Sequence, residues 1–234
     1  MGHHDDHLLQ ATLHQEKLAE LGRLSAGIAH EIRNPLSIIG YALELLCRDA
    51  ALTPFQAEMA EKIEAEIERL RTLTDGLLSF SSSREGCCRL VVLNDLVEET
   101  LRLLRFELQR HAVVLTTDFN ELPLVAADPN KLKQVVINLV MNAAQAMGGA
   151  GTITLRTCRA GDMVELTVAD TGPGISAELI EKIFDPFFTT KPEGEGTGLG
   201  LYLCRTIVRE LGGELSVDSA PGAGATFRVR LPAQ

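Results

Sequence analysis

The sequence lacks a long apolar run. No segment of its 234 residues approaches the roughly 18 consecutive apolar residues that a membrane-spanning helix needs. The first residues, from Met1 to His7, also lack the basic segment followed by an apolar one that marks a signal peptide. We therefore expect no membrane contact by this segment and a cytoplasmic location. A membrane or sensor region of the natural protein would lie outside these residues.

Positive charge is also in short supply. The sequence has 22 Lys and Arg against 32 Asp and Glu, a formal net charge of −10. Binding to the phosphate backbone of nucleic acid needs clustered basic residues. This balance excludes nucleic acid as a partner.

Cysteines are few and are not spaced as ligands or disulfide pairs. There are five of them, an odd number, and no two stand in a C-x-x-C arrangement. Zinc sites and the disulfide frameworks of secreted proteins depend on such paired cysteines. We expect free thiols in a reducing compartment. The cluster of His3, His4 and His7 is interpreted as part of a tail and not as a metal site.

What remains is the composition of a globular protein, with 45% hydrophobic residues, at a length that fits two domains. We predict a helical hairpin over residues 8–80, a serine-rich linker over 81–89 and a second domain over 90–234. The predicted fold class is α+β.

The first domain is predicted from helical periodicity. Apolar residues recur one helical turn apart from Leu21 to Leu46, and a second helix begins where Thr53 is a good N-cap and Pro54 a good first residue. Two such helices share one apolar seam, which is too little to be stable alone. Self-association into a four-helix bundle would bury it. The sequence therefore predicts a homodimer.

One histidine lies on the opposite face of the first helix. His30 is about 200° around the helix from Ile28 and from Ile32, so its ring points away from the seam. A lone histidine in a helix is commonly a surface residue. Here Glu31 adjoins it and Asn34 lies one turn further on, and these residue types suit proton handling beside a nucleophile.

The second domain is predicted to be an α/β sandwich with an antiparallel or mixed sheet and its helices on one face. Helices are predicted over 94–111, 129–147 and 199–211. Strands are predicted over 90–93, 113–119, 124–126, 152–158, 163–169, 214–218 and 225–231.

Asn138 and Asn142 stand four residues apart in the predicted helix 129–147, among apolar neighbours. An unsatisfied buried amide is costly, so the pair predicts either hydrogen bonds across the fold or oxygen ligation of a hard cation such as Mg²⁺.

The segment Asp170 to Ile175, with Gly172 and Gly174, follows a predicted strand. Glycines let the backbone approach a flat ligand, and a carboxylate can accept a hydrogen bond from the exocyclic amine of adenine. Taken alone, the segment is also compatible with a plain Gly-Pro turn.

A third segment runs from Phe184 to Leu201, with four glycines between Gly194 and Gly200. Its glycines predict a mobile lid, and its end opens a helix whose free N–H groups suit phosphate. The spacing is neither that of a Walker loop nor that of a Rossmann fingerprint. A different kind of nucleotide site is predicted.

From about Leu18 to Pro232 these ordered motifs resemble the transmitter core of a bacterial two-component sensor histidine kinase, most closely the nitrogen-regulatory type. The resemblance implies a dimeric helical-hairpin bundle followed by a Bergerat-type ATP-binding sandwich, the fold shared with gyrase, a heat-shock chaperone and mismatch-repair ATPases. It also implies ATP-dependent autophosphorylation, transfer to an aspartate in the receiver domain of a response regulator, and phosphatase activity toward that regulator.

The same resemblance implies residue roles. His30 would be the phosphoacceptor, Glu31 its neighbouring acid or base, and Asn34 the residue that positions water during dephosphorylation. Asn142 would ligate Mg²⁺. The residues that would bind ATP are Asn138, Asn142, Asp170, Gly172, Gly174, Phe187, Lys191, Gly196, Thr197, Gly198, Leu199, Gly200 and Thr226. The alternative is a GHKL-type ATPase or an ATP-binding dimeric scaffold without phosphotransfer.

Overall fold

A computed structural model describes residues 32, 35–47, 52–81, 88–192 and 196–234. The chain divides into two compact units, and the second of them comprises residues 85–189 and 198–234. The three residues predicted to act on the helical hairpin, His30, Glu31 and Asn34, lie outside the described residues.

The first unit contributes two described helices. Residues 35–47 form α1, and α2 runs over Pro54–Ser81. The start of α2 is a capping box, because the Thr53 hydroxyl accepts from the Gln56 N–H at 3.3 Å while the Gln56 side chain accepts from the Thr53 N–H at 2.9 Å. This reciprocal pair satisfies two helix-end donors. The N-cap prediction at Thr53 is confirmed.

The apolar residues of these helices are only partly covered. Leu36 and Ile67 are buried, whereas Phe55 on α2 is 69% exposed and Ile38 on α1 is 70% exposed. Other large exposed apolar side chains of the two helices are Ile39, Tyr41, Leu45, Leu46, Ile63 and Leu70. Every helix in the described part of the chain is too short or too polar to cross a membrane.

The second unit is built on a five-stranded sheet. Its helices and strands, in chain order, are β1 Arg89–Val91, α3 Leu93–Arg110, β2 Val113–Phe119, β3 Val125–Ala127, α4 Pro129–Met147, β4 Gly151–Ala160, β5 Met163–Asp170, α5 Ala177–Ile180, a short 3-10 helix Lys182–Phe184, α6 Gly200–Glu210, β6 Glu214–Ser219 and β7 Ala225–Pro232. The strand order is β2-β4-β5-β7-β6, and β1 pairs with β3 in a separate two-stranded sheet.

The large sheet is mixed, which decides between the antiparallel and the mixed sheet that the sequence left open. The strands β2 and β4 run parallel, from the pair Val113 and Gly151 to the pair Phe119 and Thr157, while the remaining neighbours are antiparallel. Alternate residues of β5 and β7 are buried. Because successive side chains of a strand point to opposite faces, one face of the sheet carries the core and the helices, and the other is polar and partly exposed.

The helix α4 lies at the centre of this core and has clear ends. The Asp128 carboxylate accepts from the Asn130 N–H at 2.9 Å, Pro129 occupies the first turn, and Gly148 closes the helix in the left-handed conformation with φ 62°. These are standard begin and stop signals for a helix. The predicted bounds of 129–147 are confirmed.

Candidate nucleotide-binding site

The carboxylate of Asp170 lies at the end of β5 and holds the loop that follows it. Its Oδ1 accepts from the Gly172 N–H at 2.8 Å and from the Ala225 N–H at 3.2 Å. Both of these bonds fall on the same oxygen. Within the described part of the chain, Oδ2 therefore remains available to a ligand that donates a hydrogen bond.

The glycines around this carboxylate leave no space for a side chain. A Cβ on Gly172 would lie 2.8 Å from Asp170 Oδ1. Gly174, at φ 74°, lies against the carbonyl of Ala220, and Gly224, at φ 75°, lies against the carbonyl of Asp170, each closer than a side chain would allow. Left-handed φ values and such close approaches are the two conditions that select glycine.

The loop after Asp170 is joined to the turn between β6 and β7. The Ser219 hydroxyl accepts from the Ile175 N–H at 2.8 Å and donates to the Gly224 carbonyl at 2.6 Å, while the Gly222 N–H donates to the Pro173 carbonyl at 2.6 Å. The sequence reasoning missed Ser219, because no local pattern indicates a bond that spans 44 residues.

Thr226, another predicted ligand residue, lies one residue beyond the Ala225 N–H that contacts Asp170. It is half-buried on β7, where it pairs with Ala169 of β5 and Asp218 of β6. The structure thus brings Asp170, Gly172, Gly174 and Thr226 to the same end of the sheet.

The two asparagines of α4 are half-buried, although Leu139 and Val140 between them are fully buried. Asn138 donates through Nδ2 to the Gly200 carbonyl at 3.4 Å, so it links α4 to the first residue of α6. For Asn138, the hydrogen-bonding alternative is therefore observed. Asn142 lies one helical turn further along the same helix.

Asn142 is also the predicted ligand of a hard cation. No cluster of three His, Cys, Asp or Glu side chains that could hold a metal occurs among the described residues. Mg²⁺ commonly keeps several waters and takes only one or two protein ligands beside substrate phosphates. Asn142, as one neutral oxygen ligand of such a site, stays a prediction.

The base of the predicted lid is a close contact between two backbones. Phe187 is 56% exposed and has φ 67°, an uncommon conformation for a bulky residue. Gly198, at φ 66°, lies against it, and a Cβ on Gly198 would come within 2.7 Å of Phe187 Cα. Strained backbone of this kind clusters at functional sites.

The helix α6 begins at Gly200, after the lid. Leu199 precedes it with a buried side chain, and its carbonyl accepts from the Leu203 N–H at 2.9 Å. A role for Leu199 in binding would therefore fall to its backbone. Lys191, Gly196 and Thr197 do not belong to this unit, and their contact with phosphate stays a prediction.

Behind the first turns of α6 lies a fully buried thiol. Cys204 donates to the Val135 carbonyl at 3.8 Å. Burial raises the pKa of Cys204 to about 12, although its hydrogen bond with Asn138 acts in the opposite direction. The thiol is neutral at physiological pH and serves as packing between α4 and α6.

Comparison with known proteins agrees with this fold. Residues 127–234 match the family model for histidine kinase-, DNA gyrase B-, and HSP90-like ATPases, and residues 20–86 match that for the His Kinase A (phospho-acceptor) domain. The sensor histidine kinase ZraS of Salmonella typhi is 39% identical over 227 residues, covering 96% of this chain and 48% of the relative.

Solved structures give the same result. The catalytic domain of histidine kinase ThkA is 36% identical with a TM-score of 0.57, and the match covers 62% of this chain and 95% of that domain. Histidine kinase ThkA in complex with response regulator protein TrrA is 33% identical with a TM-score of 0.68, covering 94% of this chain and 64% of that one.

The chain belongs to the sensor histidine kinases. Its helical first part and its ATPase unit correspond to the transmitter core of that family, as the motifs predicted. The chain spans about half the length of the curated relative described above, 48%.

Proposed function

We propose that this chain uses ATP to phosphorylate itself on His30 and then transfers the phosphoryl group to an aspartate in the receiver domain of a response regulator. The observation that supports it best is the Asp170 carboxylate. Its Oδ1 is held by the N–H groups of Gly172 and Ala225, which leaves Oδ2 for the adenine amine. The matched phospho-acceptor domain, residues 20–86, supports His30 as the residue that is phosphorylated.

The residues of the ATPase unit would orient the nucleotide. Asp170 would accept from the adenine amine, and the crowded backbone of Gly172 and Gly174 would form the wall of the cleft. The N-terminus of α6 at Gly200 would direct backbone N–H groups toward phosphate. Bound to Asn142, Mg²⁺ would neutralise charge on the phosphate oxygens. Phosphoryl transfer depends mainly on such positioning and charge neutralisation.

The proposed chemistry at His30 is an in-line displacement. A neutral imidazole, competent near pH 7, would attack the γ-phosphorus through one ring nitrogen. A P–N bond forms, the bond between the γ-phosphorus and its bridging oxygen breaks, and ADP leaves with that electron pair. Glu31 would hold the second ring nitrogen or take up the proton that the ring releases.

Two further parts of this proposal concern partners. The exposed apolar side chains of α1 and α2, such as Ile38 and Phe55, favour a homodimer, because apolar patches of this kind are typical of interaction surfaces. The complex of ThkA with its regulator TrrA favours a receiver domain as the phosphoryl acceptor. In an equivalent complex of this chain, Asn34 would position a water molecule for dephosphorylation of the regulator. The nitrogen-regulatory type is proposed on the motif resemblance alone.

The test is incubation of the full chain with Mg²⁺ and ATP labelled on the γ-phosphate. We expect label on the protein that is stable in base and labile in acid, as a phosphohistidine is, and its loss in His30→Ala. His111→Ala is the matched control and should keep the label. Equal labelling of His30→Ala would overturn the proposal, and release of labelled phosphate without labelled protein would favour the ATPase alternative.

A further inference from the structure

Arg205 joins two segments that lie on either side of the lid. It belongs to the second turn of α6, and its Nη2 donates to the Phe184 carbonyl at 2.9 Å. Phe184 is the last residue of the short 3-10 helix Lys182–Phe184. Because the last carbonyls of a helix have no partner within it, Arg205 acts as a side-chain cap on this helix end.

The same guanidinium lies over the ring of Phe184, with Cζ 5.0 Å from the ring centroid. This is within the distance at which a cation is attracted to an aromatic face. The ring itself is buried at 7% exposure, so it offers a fixed surface. One side chain therefore makes two contacts to one residue, and a second orientation of the arginine would lose both.

Burial is the main cause of a lowered pKa at Arg205, and neighbouring Arg209 acts in the same direction, while Asp185 acts oppositely. Guanidinium stays charged in proteins at any physiological pH. The side chain accordingly keeps its charge in a partly desolvated place, where the Phe184 carbonyl and ring are its neighbours.

A second contact lies three residues after Phe184, where the backbone of Phe187 packs against Gly198. Two contacts therefore join the segment 184–187 to the segment 198–205, one between Phe187 and Gly198 and the other between Phe184 and Arg205. Both are made by residues of the second unit. The contact between Phe187 and Gly198 involves strained backbone. The hydrogen bond and the ring contact of Arg205 can offset that strain.

We propose that Arg205 is a positioning residue for nucleotide binding: through Phe184 it fixes the segment that packs against Gly198, so that the backbone of residues 198–200 meets the ATP phosphates. This inference rests on the proposed ATP-dependent function. Arg205 itself would not contact ATP. Its loss would weaken binding of the phosphates only, because Asp170 would hold the adenine at another part of the unit.

The test compares Arg205→Ala, Arg205→Lys and the control Arg209→Ala, an exposed arginine on the same helix, in the full chain. Affinity is titrated for two probes, adenosine and MgATP. In Arg205→Ala we expect the affinity for MgATP to fall about tenfold or more, the size of one lost charge-assisted bond, with adenosine affinity unchanged. Arg205→Lys should recover part of the loss, and Arg209→Ala should bind as the unaltered chain does.

Hydrogen exchange at the Phe188 amide, which donates to the Asp185 carbonyl at 3.3 Å, gives a second readout and should speed up in Arg205→Ala only. An equal loss of both probes, or an unchanged affinity for MgATP, would overturn the proposal. Since binding is measured without phosphotransfer, a chain that binds ATP but leaves His30 unlabelled would contradict the proposed function and leave this inference intact.

Discussion

Gly224 packs directly against the main-chain carbonyl of Asp170, although 54 residues separate them in the sequence. A Cβ on Gly224 would overlap that carbonyl oxygen and lie 3.0 Å from its carbon. Neither neighbour is the end of a flexible side chain, so neither can move aside at low cost. The approach joins the turn after β6 to the loop that carries the adenine-binding candidates.

Gly224→Ala is therefore expected to disturb the cleft as well as the fold. Gly222→Ala is a matched control, since Gly222 has φ 79° but nothing within 4 Å of its Cβ position. It therefore reports the cost of the left-handed conformation alone, about 1 kcal/mol. We expect Gly224→Ala to lose clearly more unfolding free energy and most of its ATP affinity. Equal effects of the two variants in denaturant titration would contradict the crowding argument.

Asp170→Asn separates the two roles of this side chain. The amide oxygen can still accept from the Gly172 and Ala225 N–H groups, but the amide nitrogen cannot accept from an adenine amine. Affinity for ATP should fall by about tenfold to a hundredfold, the equivalent of about 1.5–3 kcal/mol for a bond to a charged group. Thermal unfolding should change little. Calorimetric titration measures the affinity, Asp162→Asn in the β4 to β5 turn is the control, and unaltered ATP binding would refute the adenine assignment.

Asn94 and Thr157 tie the start of α3 to β4. The Thr157 hydroxyl is buried and donates to Asn94 Oδ1 at 2.8 Å, while Asn94 Nδ2 donates to the Asn120 carbonyl at 2.8 Å. Asn94→Ala leaves the buried hydroxyl without its partner, and we expect a loss of about 1–3 kcal/mol in unfolding free energy. Adding Thr157→Val should recover part of it. A double variant as unstable as the sum of the singles would show that the two residues do not act together.

Cys204 should resist alkylation in the folded protein. Its pKa is raised to about 12 by burial, so the reactive thiolate is absent at pH 8, whereas Cys47 and Cys88 are exposed. Mass spectrometry after brief iodoacetamide treatment should find label on Cys47 and Cys88 and none on Cys204. Rapid labelling of Cys204 without denaturant would show that α6 opens.

The raised pKa of Cys204 also affects the stability of the fold at high pH. A thiol whose folded pKa exceeds its ordinary value of 9.0 keeps its proton in the folded state while the unfolded chain releases it. The contribution of Cys204 is thus complete below pH 9.0 and declines as pH rises toward 12. Cys204→Ala should show a smaller decline in unfolding free energy over this range, and an identical decline would contradict the shift.

Some features of the ATPase unit were predictable because their causes are local. Asp128, Pro129 and Gly148 set the ends of α4 through bonds within a few residues, and alternating apolar residues placed β5 and β7. The short helix α5 and the 3-10 helix Lys182–Phe184 were not predicted, because three or four residues are too few to show a helical period. The parallel pairing of β2 with β4 was not predicted either, because the sequence is compatible with both an antiparallel and a mixed sheet.

The sequence by itself determined which chemistry-bearing residues this protein has, where its longer helices and its strands lie and which family its motifs resemble, since caps, periodicity and glycine spacing act over short stretches of chain. Only the tertiary structure decided that Gly224 meets Asp170, that Ser219 bridges two loops and that Arg205 caps the end of the 3-10 helix at Phe184. Each of these contacts joins residues distant in sequence, and their distances depend on strand register and helix packing, which no local pattern encodes.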